Sequence, residues 1–274
     1  MMRLGIFAKT FPGEAPLPVL SAAREAGYDC VQWNMACSGL GALPTTVSDS
    51  AVEELRAAVA ETGVGLAAVS ATFNMIHPDM SVREAGRAAF DTIAAAAPAM
   101  GAGLVTVCTG SLDREDQWRH HPGNASPEAW AEFVGEMRLL LDLADRHGVT
   151  VGVEPETANV VSSAARAREM LDQLDHSRLS IVLDPANLFN DAEGFRDGAA
   201  INEALDLLGP RIVMAHAKDR DAAGRVVPAG QGIVGFPRVL ARFREVGFDG
   251  PVVTHGLSAK DAPEVARTLR AALG

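Results

Sequence analysis

Four stretches decide the fold: VTVGVEPE (149–156), SIVLDPAN (180–187), RIVMAHAKD (211–219) and PVVTHGL (251–257). Each is an apolar, β-rich run that ends in a residue able to bind a metal: Glu154, Asp184, His216 and His255. Each is followed, after a loop, by a helical pattern. An ionisable side chain ending an apolar strand is costly unless it is paired or liganded. One such residue alone reads as an ordinary polar group at a strand end. Four at corresponding ends point to one common site, provided the strands lie in one parallel barrel.

Outward from these stretches the apolar period keeps alternating between strand and helix. Strands are predicted over 3–8, 30–35, 65–72, 104–110, 149–156, 179–186, 211–218 and 251–256. Helices are predicted over 16–26, 50–62, 81–99, 127–147, 162–174, 200–208, 236–246 and 261–273. Alternating strands and helices imply a parallel sheet, and eight such units imply closure into a (β/α)8 TIM barrel. Gly27, Gly63, Gly148, Gly209 and Gly247 stand where helices should stop, and Ser126-Pro127-Glu128 reads as a cap and first turn. No linker, repeat or low-complexity tract interrupts the pattern, so residues 1–274 are expected to form a single domain of the α/β class. The long loops fall mostly after the strands, on the face where such barrels build active sites.

Composition narrows the function. Hydrophobic residues make up 48% of the chain, which excludes a disordered polymer. The net charge of −11 argues against nucleic-acid partners, which require a basic face. Three cysteines, an odd number, suggest no disulfide framework and fit a reducing cytoplasm. MMRLGIFAKT lacks the apolar core of a signal peptide. The most apolar stretch, 88–108, is broken by Asp91, Pro98, Gly101 and Gly103, so no membrane association is expected. Assembly into a homo-oligomer is left open.

Oxygen and nitrogen donors such as Glu154, Asp184, His216 and His255 suit one divalent ion: Mn²⁺, Zn²⁺, Co²⁺, Fe²⁺ or Mg²⁺. Two carboxylates neutralise its charge, and open positions can take substrate oxygens. Glu156 lies two residues beyond Glu154, and a continuing strand would put both on one face. It then serves as proton carrier, or is tied up by Lys218 or Arg119. Lys218 shares the inward parity of His216 and can polarise an oxygen or hold a phosphate; Asp219 has the opposite parity and reads as a loop residue. Asn187 and Asn159 suit sugar hydroxyls or turns. Asn74 and His77, in FNMIHPD (73–79), are candidates to reach over the mouth. The loop CTGSLDREDQWRHHPGNASPEAW (108–130) reads as a lid, with Arg119, His121 and Asn124 as substrate contacts and Trp118 as a cover or a pin. Lys9, Gln32 and Asn34 are weaker candidates, Cys108 reads as core, and PAGQGIVGF (228–236) reads as a flexible turn.

EPE, DPANLF, HAKD and HGL, with FNMIHPD and CTGSLD, resemble the xylose-isomerase-like TIM-barrel superfamily of sugar phosphate isomerases/epimerases, over essentially the whole chain. The resemblance implies a divalent metal held by Glu, Asp, His and Glu from the fifth to eighth strands. Glu154, Asp184 and His216 match; His255 stands where the family has its second glutamate. Ketose 3-epimerases of the family use that glutamate pair as acid and base, so the histidine departs from their pattern. Endonuclease IV, a DNA-repair member, needs histidines where Thr72 or Asn74, Cys108 and Asn187 stand here.

The reading that follows is a metal-dependent sugar or sugar-phosphate isomerase/epimerase working through an enediol, with Glu154, Glu156 and His255 as the acid–base set. A dehydratase or lyase begins with the same proton abstraction. A non-catalytic barrel that binds a sugar or a partner is the alternative of a different class.

Overall fold

The computed structural model describes residues 2–274. Eight parallel strands close into a barrel: β1 (Leu4–Phe7), β2 (Cys30–Asn34), β3 (Gly65–Ser70), β4 (Leu104–Cys108), β5 (Thr150–Glu154), β6 (Leu179–Leu183), β7 (Ile212–Ala217) and β8 (Val252–Thr254). Each pairs with its neighbours in sequence, and β8 pairs back with β1. The enclosing helices are α1 (Pro16–Glu25), α2 (Asp49–Thr62), α3 (Met80–Met100), α4 (Pro127–His147), α5 (Ala164–Leu174), α6 (Ala199–Leu208), α7 (Phe236–Glu245) and α8 (Ala262–Leu273). No helix among the described residues is long and apolar enough to cross a membrane.

Two apolar layers follow from the strand period of two. Outward residues such as Val31, Trp33, Val151, Val153, Ile181 and Leu183 join the helices in the main core. Inward residues Ala68, Leu104, Val182, Met214 and Val253 form a separate cluster inside the barrel. Small residues fit the crowded interior: a Cβ on Gly152 would lie 2.8 Å from Val182 Cγ2. Counting on by twos, the same inner face carries Glu154, Asp184, His216, Lys218 and His255 above that plug. The apolar interior thus closes the floor and sets the ionisable groups at the mouth.

The predicted elements run slightly long. β5 stops at Glu154, β6 stops before Asp184, and β8 stops before His255. At Asp184 the reason is local: its carboxylate accepts from Ala186 N and caps a short 3₁₀ turn, Pro185–Asn187. Gly63 and Gly148 end their helices in the left-handed region, as expected. Gly209 does not. Its φ is −39°, the chain runs on into a 3₁₀ turn, and close packing against Val246, 3.1 Å from a would-be Cβ, accounts for the missing side chain. A single helical turn (Ala192–Phe195) and a ribbon pairing Asp219–Arg220 with Val226–Val227 were not anticipated. Both are too short for periodicity to register.

Cys30, Cys37 and Cys108 are free and buried. Burial pushes Cys30 and Cys37 up to about 11, and Cys108 also upward. The folded state therefore holds these protons more tightly than the unfolded chain. Their contribution to stability is complete below the ordinary thiol value near ~8.5 and is lost as pH rises through the folded values. We expect no thiol to react rapidly with an aromatic disulfide reagent near neutral pH in the native protein, and all three to react in denaturant. The denaturant midpoint should fall as pH rises from about 9 to about 11.

Candidate active site

Glu154, Asp184, His216 and His255 come together at the C-terminal mouth of the barrel, each offering one ligand atom within 4.8 Å of the others. Strand parity does this: all four stand on the inner face at or just beyond the ends of their strands, with His216 beside Val253 and Glu154 beside Cys108 in register. His216 Nδ1 lies 2.9 Å from Glu154 Oε1, and His255 Nε2 lies 2.8 Å from Asp184 Oδ2. The two imidazoles tilt together with centroids 4.5 Å apart. Asn187 Nδ2 donates to Glu154 Oε1 at 2.9 Å, while its buried Oδ1 has no partner.

The electrostatics are those of a compact charged cluster. Burial opposes ionisation of Glu154 and Asp184. The neighbouring imidazoles, together with Lys218 at Asp184, outweigh it and hold both carboxyls below their ordinary values. Burial works against a charge on His216, yet Glu154 beside it raises its pKa. His255 is lowered, first by burial and then by the charge of His216.

The donor set fits a divalent cation. Two carboxylates and two imidazoles converge, and His216 is already oriented for ligation. Its Nε2 meets Gln32 Oε1 at 2.7 Å, and Gln32 in turn donates from Nε2 to Thr106 Oγ1 at 2.9 Å. With Nε2 held by that carbonyl, release of the Nδ1 proton that faces Glu154 would open that nitrogen to a cation, the usual way a second partner fixes a ligating histidine.

Above the cluster opens a cavity of about 430 Å³, whose lining includes Gln32, Trp118, Glu154, Glu156, His216 and Lys218. Glu156 lies beyond the end of β5, so its place in the cavity comes from the turn after Pro155 and not from a continuing strand. Burial raises its pKa, opposed chiefly by Lys218. Lys218 Nζ stands 3.9 Å from Glu156 Oε2 and 3.5 Å from Asp184 Oδ2. Burial disfavours the ammonium charge, but Asp184, Glu154 and Glu156 more than offset it and raise its pKa.

The other sequence candidates divide differently. Arg119 does not reach Glu156 or this cavity: it is exposed and pairs with Asp113 and Glu115. His121 accepts from Gly123 N and caps a 3₁₀ turn. Asn124 is buried and ties Leu112 N to Ala158 O, and Asn159 ties Gly110 N to Gln117 O. Asn34 caps the turn after β2. Asn74 bridges the loops after β3 and β4 through Ser111, and His77 contacts Arg114 O; both line a second cavity next door. The glycine-rich run 228–235 is not a free turn. Asp219, fully buried, accepts from the backbone N–H of Arg220, Gly230 and Val234 and pins the loop. Gln32 was only a weak candidate in sequence, and Arg220, which also lines the first cavity, carried no sequence signal.

A closed (β/α)8 barrel with a carboxylate–imidazole cluster at its C-terminal mouth defines a class of enzyme scaffold. Residues 20–273 match the family described as Xylose isomerase-like TIM barrel, and the chain belongs to that family. Its relatives include sugar epimerases. It is 26% identical over 255 residues to L-ribulose-5-phosphate 3-epimerase UlaE of Salmonella paratyphi A, covering 90% of this chain and 84% of that protein. It is 25% identical over 154 residues to the uncharacterized protein MJ1311 of Methanocaldococcus jannaschii, and that match spans only about half of either chain. Among solved structures, 3-keto-D-glucoside 4-epimerase YcjR from E. coli superposes with a TM-score of 0.77 at 18% identity, over 99% of this chain and all of that one. A Mycobacterium smegmatis xylose isomerase-like TIM barrel protein in complex with magnesium gives 0.70 at 20% identity, over 100% and 98% of the two chains.

If Gln32 orients His216 for a metal, Gln32→Ala should weaken divalent-ion affinity by about 10- to 100-fold without unfolding the barrel. Competition with a chromogenic chelator measures this. Unchanged affinity would leave Gln32 no such part.

Proposed function

We propose that this protein is a divalent-metal-dependent isomerase or epimerase that acts on a sugar by moving a proton at the carbon beside a carbonyl, through an enediol. The observation that carries this reading is a half-buried carboxylate, Glu156, outside the four-donor cluster yet in the same cavity, with a lysine between them. The sugar epimerases among the relatives support the substrate class.

Glu154, Asp184, His216 and His255 would hold the ion. When bound, it would polarise the carbonyl and make the neighbouring C–H more acidic. Glu154 Oε1 already accepts from Asn187 and faces His216, so that oxygen is committed to holding the site together. Glu156 accepts only a long bond from Thr157 and the distant approach of Lys218, which leaves it able to take a carbon-bound proton. The Lys218 ammonium stabilises the negative charge that develops on the sugar oxygens. His255, the less enclosed imidazole, with 23% of its side chain exposed, lines the same cavity as Glu156 and is the second proton carrier wherever it is not bound to the ion. Trp118 covers the opening and limits water.

We expect the metal-replete protein to exchange a carbon-bound hydrogen of its sugar substrate with solvent deuterium. Glu156→Gln should slow that exchange by about 100-fold or more while metal content stays constant. Turnover without deuterium at carbon would replace proton transfer with a hydride shift. Release of water to give an unsaturated product would make the enzyme a lyase.

A further inference from the structure

A second cavity of about 860 Å³ lies beside the first and shares two wall residues with it, Thr72 and Trp118. Its floor is apolar, formed by Leu43, Phe73, Val82, Ala85 and Ala89 along α3 and the loops before it. The run Asp113, Arg114, Glu115 and Asp116 also lines it, three acidic groups to one basic. Trp118 is 49% exposed, whereas Trp33 and Trp130 are buried. Its indole therefore presents apolar surface where the two cavities meet. Met80 and Val82, at the start of α3, are also exposed.

The charged groups around both cavities leave no cradle for a phosphate. Lys218 is held between Glu156 and Asp184. Arg220 gives its Nε and Nη1 donors to the carbonyls of Ala186 and Gly224. In the glycine-rich loop 228–235, the backbone donors that could grip an anion already bind the buried Asp219 carboxylate. A Cβ at Gly232 would fall 2.3 Å from Asp219 Oδ1, so the carboxylate fills the space a ligand would need. In the second cavity three carboxylates, Asp113, Glu115 and Asp116, outnumber the one guanidinium, Arg114, so an anion brought there meets net negative charge.

We propose that the substrate is an unphosphorylated sugar carrying a second, uncharged unit joined glycosidically, with the sugar ring in the first cavity and the attached unit stacked on Trp118 in the second. This deepens the proposed function and rests on it: the ring still meets the metal-binding cluster and Glu156, and the second cavity selects what hangs from it. The reacting carbonyl then lies on the ring away from the glycosidic carbon.

The test is a binding panel read by Trp fluorescence and calorimetry on the metal-loaded protein. Several pentoses and hexoses are each offered as the free sugar, the terminal phosphate ester and the phenyl glycoside. Ala85→Phe, at an exposed position of α3 that lines only the second cavity, blocks that cavity without touching the first. For the sugars that bind, the phenyl glycoside should bind about tenfold more tightly than the free sugar, from aromatic contact and buried area. Ala85→Phe should remove that gain while free-sugar binding persists, and Trp118→Ala should remove it as well. Phosphate esters should bind more weakly than the free sugars. Tighter binding of the esters, or equal binding of free sugars and glycosides, would overturn this inference and leave the sugar reading intact. Binding of no sugar in any form would overturn both.

Discussion

Two carboxylates and two imidazoles share a space 4.8 Å across at the end of a barrel whose interior is otherwise filled with apolar side chains. Four ionisable groups so close cannot all find compensation in water. The rest of the site is arranged around that constraint. Lys218 and Asn187 lean on the two carboxylates, and Gln32 takes the far side of His216. A divalent ion would replace the internal imidazole–carboxylate contacts with ligand bonds and leave these outer partners in place. That is why the cluster reads as a binding site and not as a structural ion-pair network.

The barrel carries the constraint without strain. Apart from register shifts at Val31/Gln32 and Ile181/Val182, inward positions alternate with outward ones, so strand register decides both the plug of Ala68, Leu104, Val182, Met214 and Val253 and the ring of functional groups above it. A one-residue slip in β7 would move His216 to the helix side and bring Ala215 or Ala217 inward. Such a slip is costly because it would set the His216 imidazole among apolar side chains, away from Glu154 and Gln32. The chemistry is therefore as rigid as the core beneath it.

Much of this could be read from the sequence, because the deciding signals are local. Each of the four ligand candidates follows its own apolar run, and a strand's period of two assigns its face without knowledge of any neighbour. What could not be read were partnerships across the fold. Gln32 meets His216 over a separation of 184 residues, and nothing near Gln32 announces it. Polar loop residues misled for the converse reason. His121 and Asn124 have the side chains of substrate contacts, but they spend them on their own loop, and Arg119 turns outward to Asp113 and Glu115. Asparagine, histidine and arginine look alike in sequence whether they bind a ligand or close a turn. The glycine-rich run had the composition of a flexible turn, and only the buried Asp219 carboxylate reveals it as a fixed wall.

The central claim is that these four side chains make one divalent-ion site. Crystals grown with Mn²⁺ and measured for anomalous scattering test it most directly. The account predicts a single strong peak among Glu154, Asp184, His216 and His255, with His216 bound through Nδ1 and its Nε2 still on Gln32. No peak there, or a peak at another cluster while these four keep their direct imidazole–carboxylate contacts, would contradict it.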